Sequence, residues 1–264
     1  MGDEDDVLAF FGNSPTRLAI LESLAAGPKT RSDLQAAVDT SRTTLWRLVV
    51  DLEERGWVRK AGEQYEATVA GRIVVDRVTS LQTTVTILDE LADLLDWLPI
   101  DEMSFPVERL ANATVVRPTT ANPQGPMQLA TRQIETATQI RILSRAYSPW
   151  VVEAVYEPVL AGDQSVTMVL TTGVVEAFNA DESIRRQVRD MAETDHLRLF
   201  RADEIPFIVA ILDGDRVGMG IDDDDGRPRA VLDIEDQTIV TWAIDTYERY
   251  RDIAVPIGPE RFSG

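Results

Sequence analysis

The chain has 264 residues, 44% of them hydrophobic, which is enough apolar material for two packed domains of ~100–200 residues each. Its formal net charge is −19, it has no cysteine, and His196 is its single histidine. Disulfides, thiol nucleophiles and cysteine–histidine zinc sites are therefore excluded, and no cofactor is expected. The acidic start and the short apolar runs predict a cytoplasmic protein without a membrane segment.

The charge is distributed unevenly along the chain. Only Lys29 and Lys60 are lysines among the 26 basic residues, which face 45 acidic ones. Concentrated salt makes such self-repulsion tolerable, because the Debye length falls to ~3 Å at 1 M. The composition predicts a salt-adapted protein, with an ordinary acidic protein as the alternative. Residues 28–72 carry a net charge of +1, so this segment is the part expected to approach a negatively charged partner.

Three helices and a β-hairpin are predicted in and around this near-neutral segment. Ser14 and Pro15 open a helix that ends before Gly27, and Thr30 with Asp33 forms a capping box for a short second helix. Ser41 caps a third helix that ends at Gly56. The buried face of this third helix is predicted to carry Leu45, Leu48, Val49 and Leu52. The hairpin follows, with strands at residues 57–60 and 64–67 around a turn at Gly62.

Residues 14–68 resemble a winged helix-turn-helix of the bacterial and archaeal type. The resemblance rests on residues 14–24 (SPTRLAILESL), residues 31–58 (RSDLQAAVDTSRTTLWRLVVDLEERGWV) and the basic hairpin that follows. It implies that the chain binds double-stranded DNA and that the third helix is the recognition helix in the major groove. A winged helix used only for protein contacts is the alternative.

Outward-facing side chains of this segment are the predicted DNA contacts. Arginine reads guanine edges or grips phosphate, hydroxyl groups do either, and an indole contacts thymine methyl groups or sugar. The start of the second helix and the basic hairpin, which is the wing of this fold, are expected to contact phosphate or the minor groove. The alternative for the wing is a basic strand exposed to solvent. The predicted DNA-binding residues are Arg31, Ser41, Arg42, Thr43, Thr44, Trp46, Arg47, Arg59, Lys60 and Gln64.

A long linker helix is predicted over residues 71–98, where Pro99 stops it. Apolar residues recur at alternating steps of four and three, which is a heptad-like seam. This seam either pairs with its copy in a homodimer, which would place two recognition helices on neighbouring half-sites, or packs on the chain's own second domain. The seam comprises Val74, Val78, Leu81, Val85, Leu88, Ala92 and Leu95.

Strands and helices alternate from residue 99 onward, which predicts an α/β domain with a partly parallel, mixed sheet. Strands are expected at residues 140–144, 165–172, 197–201, 207–212, 216–221 and 230–234. Helices are expected at residues 128–138, 150–160, 180–194 and 237–251. The turn formed by Asp213, Gly214 and Asp215 is a hairpin signal.

This second half resembles the sensor region of archaeal regulators of the FilR type, the methanogenesis-regulator family. The resemblance rests mainly on residues 215–221 (DRVGMGI), 229–236 (RAVLDIED) and 238–251 (TIVTWAIDTYERYR), with residues 142–149 (ILSRAYSP) and 166–172 (VTMVLTT) in support. The predicted fold is therefore α+β followed by α/β. It comprises a winged helix-turn-helix over residues 1–70, a linker helix over 71–98 and an α/β sensor domain over 99–264.

A small-molecule effector site is predicted beyond the carboxyl ends of the strands, where open α/β sheets bind ligands. Arg145 would suit an anionic metabolite or phosphate, whereas a domain without a pocket that only dimerises is the alternative. The predicted ligand-binding residues are Ser144, Arg145, Tyr147, Ser148, Thr171 and Thr172.

Catalytic and metal-binding motifs are absent from the sequence. Asp222–Asp225 lacks the alternating spacing of a calcium loop and is interpreted as a solvated hairpin tip. His196 and Arg198 lack the His-x-Lys pair of phospholipase D-like enzymes, so His196 is interpreted as structural. The sequence therefore predicts a sequence-specific transcription regulator and no enzyme. A protein-interaction adaptor and an enzyme with a DNA-binding appendage are the alternatives.

Overall fold

The computed structural model describes residues 7–263 of the chain. It divides into two compact units, Met1–Thr86 and Ile87–Gly264, which are described in turn. No helix within the described residues has both the length and the apolar character needed to cross a membrane.

The first unit contains helices packed around a small antiparallel sheet. Its elements are α1 (Val7–Gly12), α2 (Pro15–Ala25), β1 (Lys29–Thr30), α3 (Arg31–Ala37), α4 (Arg42–Glu54), β2 (Val58–Ala61), β3 (Gln64–Ala67) and the part of α5 (Val69–Glu90) that precedes Ile87. The strand order is β1-β3-β2, with β3 antiparallel to both neighbours. The predicted three helices and hairpin are present. The sequence analysis missed α1, whose Phe11 stacks on Trp57 at 5.5 Å between ring centroids.

Local capping interactions fix the ends of the helices in the first unit. Thr30 and Asp33 form the predicted capping box, and the Ser41 hydroxyl accepts a hydrogen bond from the Thr44 amide at 3.2 Å. Gly56 follows α4 with a φ of 71°, in the left-handed region that ends helices. The four predicted inward residues of α4 are all buried. This helix is therefore held in one rotational setting, which defines the face it turns outward.

Helix α5 is shorter than the sequence predicts. It ends at Glu90, and a turn and a 3₁₀ helix (Leu95–Trp97) replace the last part of the linker helix expected to reach residue 98. The reason is that Leu91, Leu94 and Leu98 are buried in the core of the second unit. Their apolar spacing therefore reflects packing in that core and not a continued helix.

The second unit is built on one eight-stranded mixed sheet. Its strands are β4 (Thr114–Val116), β5 (Gln139–Ser144), β6 (Ser165–Thr171), β7 (Leu197–Ala202), β8 (Ile208–Leu212), β9 (Arg216–Asp222), β10 (Pro228–Ile234) and β11 (Val255–Ile257). They are arranged in the order β11-β7-β6-β5-β8-β9-β10-β4. Neighbours β5, β6 and β7 run parallel and the other pairs antiparallel, so the predicted mixed sheet is confirmed.

Helices cover both faces of this sheet and give the second unit two separate cores. The helices are α6 (Gly125–Thr136), α7 (Pro149–Ala161), α8 (Thr172–Ala180), α9 (Glu182–Ala192) and α10 (Gln237–Ile253). Residues of α6 to α9 pack on one face, and α10 contributes Trp242 and Tyr247 to the core on the other. Helix α8 and strands β4 and β11 were not predicted, and the single helix expected over residues 180–194 corresponds to α9 alone. Short 3₁₀ helices complete the unit at Ile100–Glu102, Val107–Asn112 and Pro259–Phe262.

The β8–β9 hairpin turns at Asp213 and Gly214, as the sequence predicts. Their φ angles are 49° and 80°, and Leu212 pairs with Arg216, so that residues 213–215 form the loop between the strands. Oδ1 of Asp213 accepts hydrogen bonds from the backbone amides of Thr138 and Gln139, which tie the turn to the start of β5. These bonds hold the pKa of Asp213 below its usual value.

Candidate functional site

Helix α4 presents a mixed cationic and apolar face outward. With Leu45, Leu48 and Leu52 buried, the opposite side of the helix is left uncovered. Within it, Trp46 is half-buried and the other members are exposed. We call this surface the recognition face, and it consists of Arg42, Thr43, Trp46, Arg47 and Val50.

Arg42 and Arg47 are exposed guanidinium groups without a hydrogen bond or ion pair in the described part of the chain. Two other arginines of the unit are neutralised, whereas Arg31, Arg72 and Arg77 have no ion pair among the described residues. Arg17 contacts the Asp51 carboxylate at 2.8 Å, and Arg59 contacts the Glu66 carboxylate at 2.6 Å. The two arginines of the recognition face therefore keep their full hydrogen-bonding capacity for a partner.

The predicted hydroxyl groups divide into occupied and available ones. The Ser41 hydroxyl caps the helix, and it also lies 2.9 Å from the Thr44 hydroxyl. Both groups are therefore committed to positioning the N-terminus of α4. Thr43 is exposed and makes no side-chain hydrogen bond among the described residues. It is therefore the hydroxyl that remains for an external contact.

Arg31 contacts both the recognition face and the β2–β3 hairpin, which we call the wing. Its guanidinium lies 4.4 Å from the centre of the Trp46 ring, and Nη2 donates a 3.2 Å hydrogen bond to the Tyr65 hydroxyl. The Trp46 and Tyr65 rings are themselves 5.7 Å apart. A cation between an indole face and a phenol restricts both rings. Trp46 is thus held in a fixed position beside Arg42 and Arg47.

The two faces of the wing differ in charge. Arg59 lies directly opposite Glu66 in the β2–β3 ladder and is paired with it, and Gln64 lies on the neighbouring strand with its side chain exposed. Lys60 lies opposite Tyr65, so it shares the face of the sheet that carries this buried ring. Lys60 is exposed and has no ion pair within the described residues. It is therefore the cation that the wing leaves unneutralised.

Two residues near the predicted DNA contacts were not predicted, one on the recognition face and one on β1. Val50 is 47% exposed and follows Trp46 by four residues and Arg47 by three, so it shares their side of the helix. Lys29 lies opposite Tyr65 on β1, which places both lysines of the chain in one row across the sheet. The helical spacing would have identified Val50, whereas the place of Lys29 depends on the pairing of β1 with β3.

The second unit contains a cavity of about 170 Å³ between one face of its sheet and helices α6 and α7. Small residues on adjacent strands leave this space open: Ala210, Gly218, Gly220 and Ala230 all line it. A Cβ atom on Gly218 would lie 2.9 Å from Oε1 of Gln133. The remaining walls are mainly aliphatic, so the cavity is an apolar pocket with few polar groups.

Only half of the predicted ligand-binding residues line this cavity. Ser144, Tyr147 and Ser148 line the cavity, whereas Arg145, Thr171 and Thr172 do not. Arg145 is exposed, and Nη2 reaches only the backbone oxygen of Asp222 at 3.5 Å. Thr171 lines a different groove together with the carboxylates of Glu102, Asp203 and Glu204. Alternation along the strands is the reason, since consecutive side chains point to opposite faces of a sheet.

Asp222 is the charged residue that lines this cavity. It is 7% exposed, so the interpretation of Asp222–Asp225 as a wholly solvated tip is wrong at its first residue, although Asp224 and Asp225 are exposed. Its carboxylate makes no hydrogen bond among the described residues. Burial raises the pKa of Asp222 above its usual value, the Arg145 charge lowers it, and Asp223 raises it further. The residue belongs to β9, whose inward positions Gly218 and Gly220 precede it.

The described residues contain no group of three or more His, Cys, Asp or Glu side chains arranged to hold a metal ion. His196 directly precedes β7, and a Cβ atom on Gly162, which ends α7, would lie 3.1 Å from its Nε2. The imidazole therefore packs against the glycine at the end of a helix.

The solved structures that are similar to the chain include the following three, all at low identity. TrmBL2, described as an archaeal chromatin protein with a novel mode of DNA binding, is 16% identical with a TM-score of 0.45, and covers 97% of this chain and 100% of its own. Nuc from Salmonella typhimurium, a phospholipase D family member, is 14% identical with a TM-score of 0.43, covering 56% of this chain and 98% of its own. NucT from Helicobacter pylori is 10% identical with a TM-score of 0.43, covering 55% and 99%. These likenesses carry no inference about activity.

Family models account for most of the chain. The HVO_A0261 N-terminal domain matches residues 5–90, which include the whole helix-turn-helix and wing. The middle domain of the methanogenesis regulatory protein FilR1 matches residues 123–253, which include the cavity and most of the mixed sheet. No curated protein matches the chain in sequence. The chain is therefore similar to the HVO_A0261 N-terminal domain over its first part and to the middle domain of the methanogenesis regulatory protein FilR1 over much of its second part.

Proposed function

We propose that the chain is a sequence-specific transcription regulator that binds double-stranded DNA through α4 and the wing. The observation that carries the proposal is the pair of unneutralised arginines, Arg42 and Arg47, on the outward face of a capped helix in a chain of net charge −19. Guanidinium groups bind guanine edges in a bidentate manner, and the N-terminal part of a recognition helix is the part that meets base edges.

The side chains of the recognition face have distinct roles in this proposal. Arg42 and Arg47 contact bases or phosphate, Thr43 supplies a hydroxyl, and Val50 contacts a thymine methyl group. Ser41, Thr44 and Arg31 position the helix and the indole of Trp46, as their existing hydrogen bonds and ring contact indicate. These assignments separate reading from positioning, which the sequence alone leaves open.

The finer parts of the proposal concern the second unit and α5. The mixed-sheet domain senses a small-molecule effector, and the chain forms a homodimer through α5, so that ligand binding changes the spacing of two recognition helices. Leu81, Val85 and Leu88 support the dimer, since they are exposed in α5 at the predicted heptad-like spacing. The cavity beside Asp222 supports the effector.

In vitro selection tests the proposal directly. The purified full-length chain is incubated with a pool of random duplexes, and the bound fraction is sequenced over successive rounds. Enrichment of one motif supports sequence-specific binding. Recovery of no motif, at any salt concentration from 0.1 M to 3 M, would contradict it and favour the adaptor that binds proteins through the same surface.

The Lys60 side of the wing is expected to contact DNA, and its Arg59 side is not. Lys60→Gln should weaken binding to the selected duplex about tenfold, since one phosphate contact is lost. The matched control is the double variant Arg59→Gln/Glu66→Gln, which removes a neutral ion pair and leaves the charge unchanged. Its affinity, measured by fluorescence anisotropy, should stay within about twofold. A larger effect for the control would show that Arg59 contacts DNA in exchange for Glu66.

The salt dependence of binding is expected to be shallow for the number of basic residues present. Each phosphate contact contributes a slope of about −0.9 to a plot of log K against log salt, so Arg42, Arg47 and Lys60 predict about −3 per protomer. All eight basic residues of the near-neutral segment would give about −7. Affinities measured across a salt series decide between these values, and a slope near −7 would contradict the assigned contacts.

A further inference from the structure

The cavity of the second unit differs from an ordinary packing defect because a carboxyl group faces an apolar space. Asp222 is more than nine-tenths buried, lines the cavity and makes no hydrogen bond among the described residues. Burying an unpaired carboxylate costs a protein free energy, so such a group is expected to meet a partner that the chain itself does not supply. Burial also raises the pKa of Asp222, while the Arg145 charge lowers it.

The walls of the cavity restrict the size and polarity of that partner. Ile142, Met168, Leu170 and Ile208 come from the sheet and Val152 comes from α7. A closed apolar space of roughly 150 Å³ accommodates a benzene ring, so about 170 Å³ holds one ring or a short branched chain with one small substituent. A second polar group of the lining is the side-chain amide of Gln133. Its Nε2 makes no hydrogen bond of normal geometry, although this amide lies close enough to Asp233 to lower the pKa of that carboxyl group.

The charges around the mouth favour a cation over an anion. Gly226 of the β9–β10 turn lines the cavity, and the same turn carries Asp223, Asp224 and Asp225. Asp225 is paired with Arg227 at 2.7 Å, while Asp224 makes no ion pair among the described residues. Arg145, expected from the sequence to bind an anion, does not line the cavity. The Arg145 guanidinium lies outside the cavity, beside the backbone of Asp222, and the charged group that lines the cavity is the Asp222 carboxylate. An anionic ligand in the cavity would therefore meet a like charge, whereas a protonated amine would meet a counter-charge.

We infer that the cavity binds a small apolar molecule that carries one protonated amine, with the ammonium group on the Asp222 carboxylate and the apolar body between the sheet and α6 and α7. This inference depends on the proposed sensing role in one respect only, which is that binding of the amine changes the affinity of the chain for DNA. The binding event itself involves the second unit and is measured without DNA, so its failure and that of the DNA-binding proposal are distinguishable.

Three probes of one size test the inference on the full-length chain by titration calorimetry: benzylamine, benzyl alcohol and benzoate. We expect benzylamine to bind at least tenfold more tightly than benzyl alcohol, and benzoate not to bind. Asp222→Asn keeps the shape of the side chain and should lower the affinity for benzylamine tenfold or more, while that for benzyl alcohol changes less than threefold.

Two further variants keep this test decisive. Asp163→Asn removes one charge from an exposed position in the loop between α7 and β6, which does not line the cavity, and should leave benzylamine binding unchanged. Ala210→Met extends a side chain into the cavity from β8 and should weaken the binding of both neutral and cationic probes. Binding of benzoate as tight as that of benzylamine, an unchanged affinity in Asp222→Asn, or no binding of any probe to the unmodified chain would each overturn the inference.

Discussion

Replacing Arg42 and Arg47 together with alanine is expected to weaken binding to the selected duplex about 100-fold or more. Each good bidentate arginine contact to a base contributes about 1–3 kcal/mol of discrimination, and 1.4 kcal/mol corresponds to about tenfold in affinity. Both side chains are exposed and make no hydrogen bond, ion pair or ring contact with the described residues, so the free energy of unfolding should change by less than about 1 kcal/mol. Fluorescence anisotropy and thermal unfolding measure the two quantities.

The control for this variant must lose the same two charges elsewhere. Arg186 and Arg198 are exposed residues of the second unit, and their double alanine variant changes the net charge equally. If this control weakens DNA binding as strongly as the Arg42 and Arg47 variant, the effect is one of total charge in an acidic chain. If the Arg42→Ala/Arg47→Ala variant and the unmodified chain bind the duplex with equal affinity, α4 is not part of the DNA interface.

Local signals explain why most of the first unit could be predicted. The capping box of Thr30 and Asp33, the cap at Ser41 and the left-handed Gly56 each act within a few residues along the chain. Such contacts can be recognised in the sequence because their partners are three or four positions apart. The neutralisation of Arg59 by Glu66 was not predicted, since it depends on the cross-strand register and not on either residue type alone.

Non-local packing explains what the sequence analysis missed in the second unit. The spacing of Leu91, Leu94 and Leu98 suits a helix equally well, and only burial in a distant core shows that the helix has ended. Asp222 follows Gly218 and Gly220 at steps of two, so strand alternation would have separated it from the exposed aspartates after it. The cavity itself requires α6 and α7 to lie over strands that are far apart in sequence.

The predicted salt adaptation and the proposed DNA binding place opposite demands on this chain. Concentrated salt screens the self-repulsion of a net charge of −19, but it also weakens phosphate contacts by counterion release. Contacts that survive are those to base edges and apolar groups. The recognition face has this character, with Trp46 and Val50 beside forked arginines and no lysine. Affinity in concentrated salt then depends strongly on whether two such faces act together.

Charged substitutions in α5 are therefore expected to have the second large effect. Leu81→Asp/Val85→Asp places two carboxylates on residues that are 44% and 50% exposed, so a single chain tolerates them, whereas an apolar helix pair does not. Light scattering should show a shift from twice 29.4 kDa to 29.4 kDa. Binding to a duplex with two half-sites should fall about 100-fold, because the second recognition helix no longer binds intramolecularly.

Two comparisons separate loss of the dimer from other damage. Ile253→Asp, at a residue of α10 that is 76% exposed, adds a carboxylate at another exposed apolar position and should leave mass and affinity unchanged. A duplex with one half-site should bind the α5 variant and the unmodified chain equally, since each protomer keeps Arg42 and Arg47. A variant that remains at twice the mass of one chain would show that the stripe of α5 is not the dimer contact. Because salt strengthens apolar association while it weakens phosphate contacts, a dimer through α5 would preserve cooperative binding at concentrations where single contacts fail.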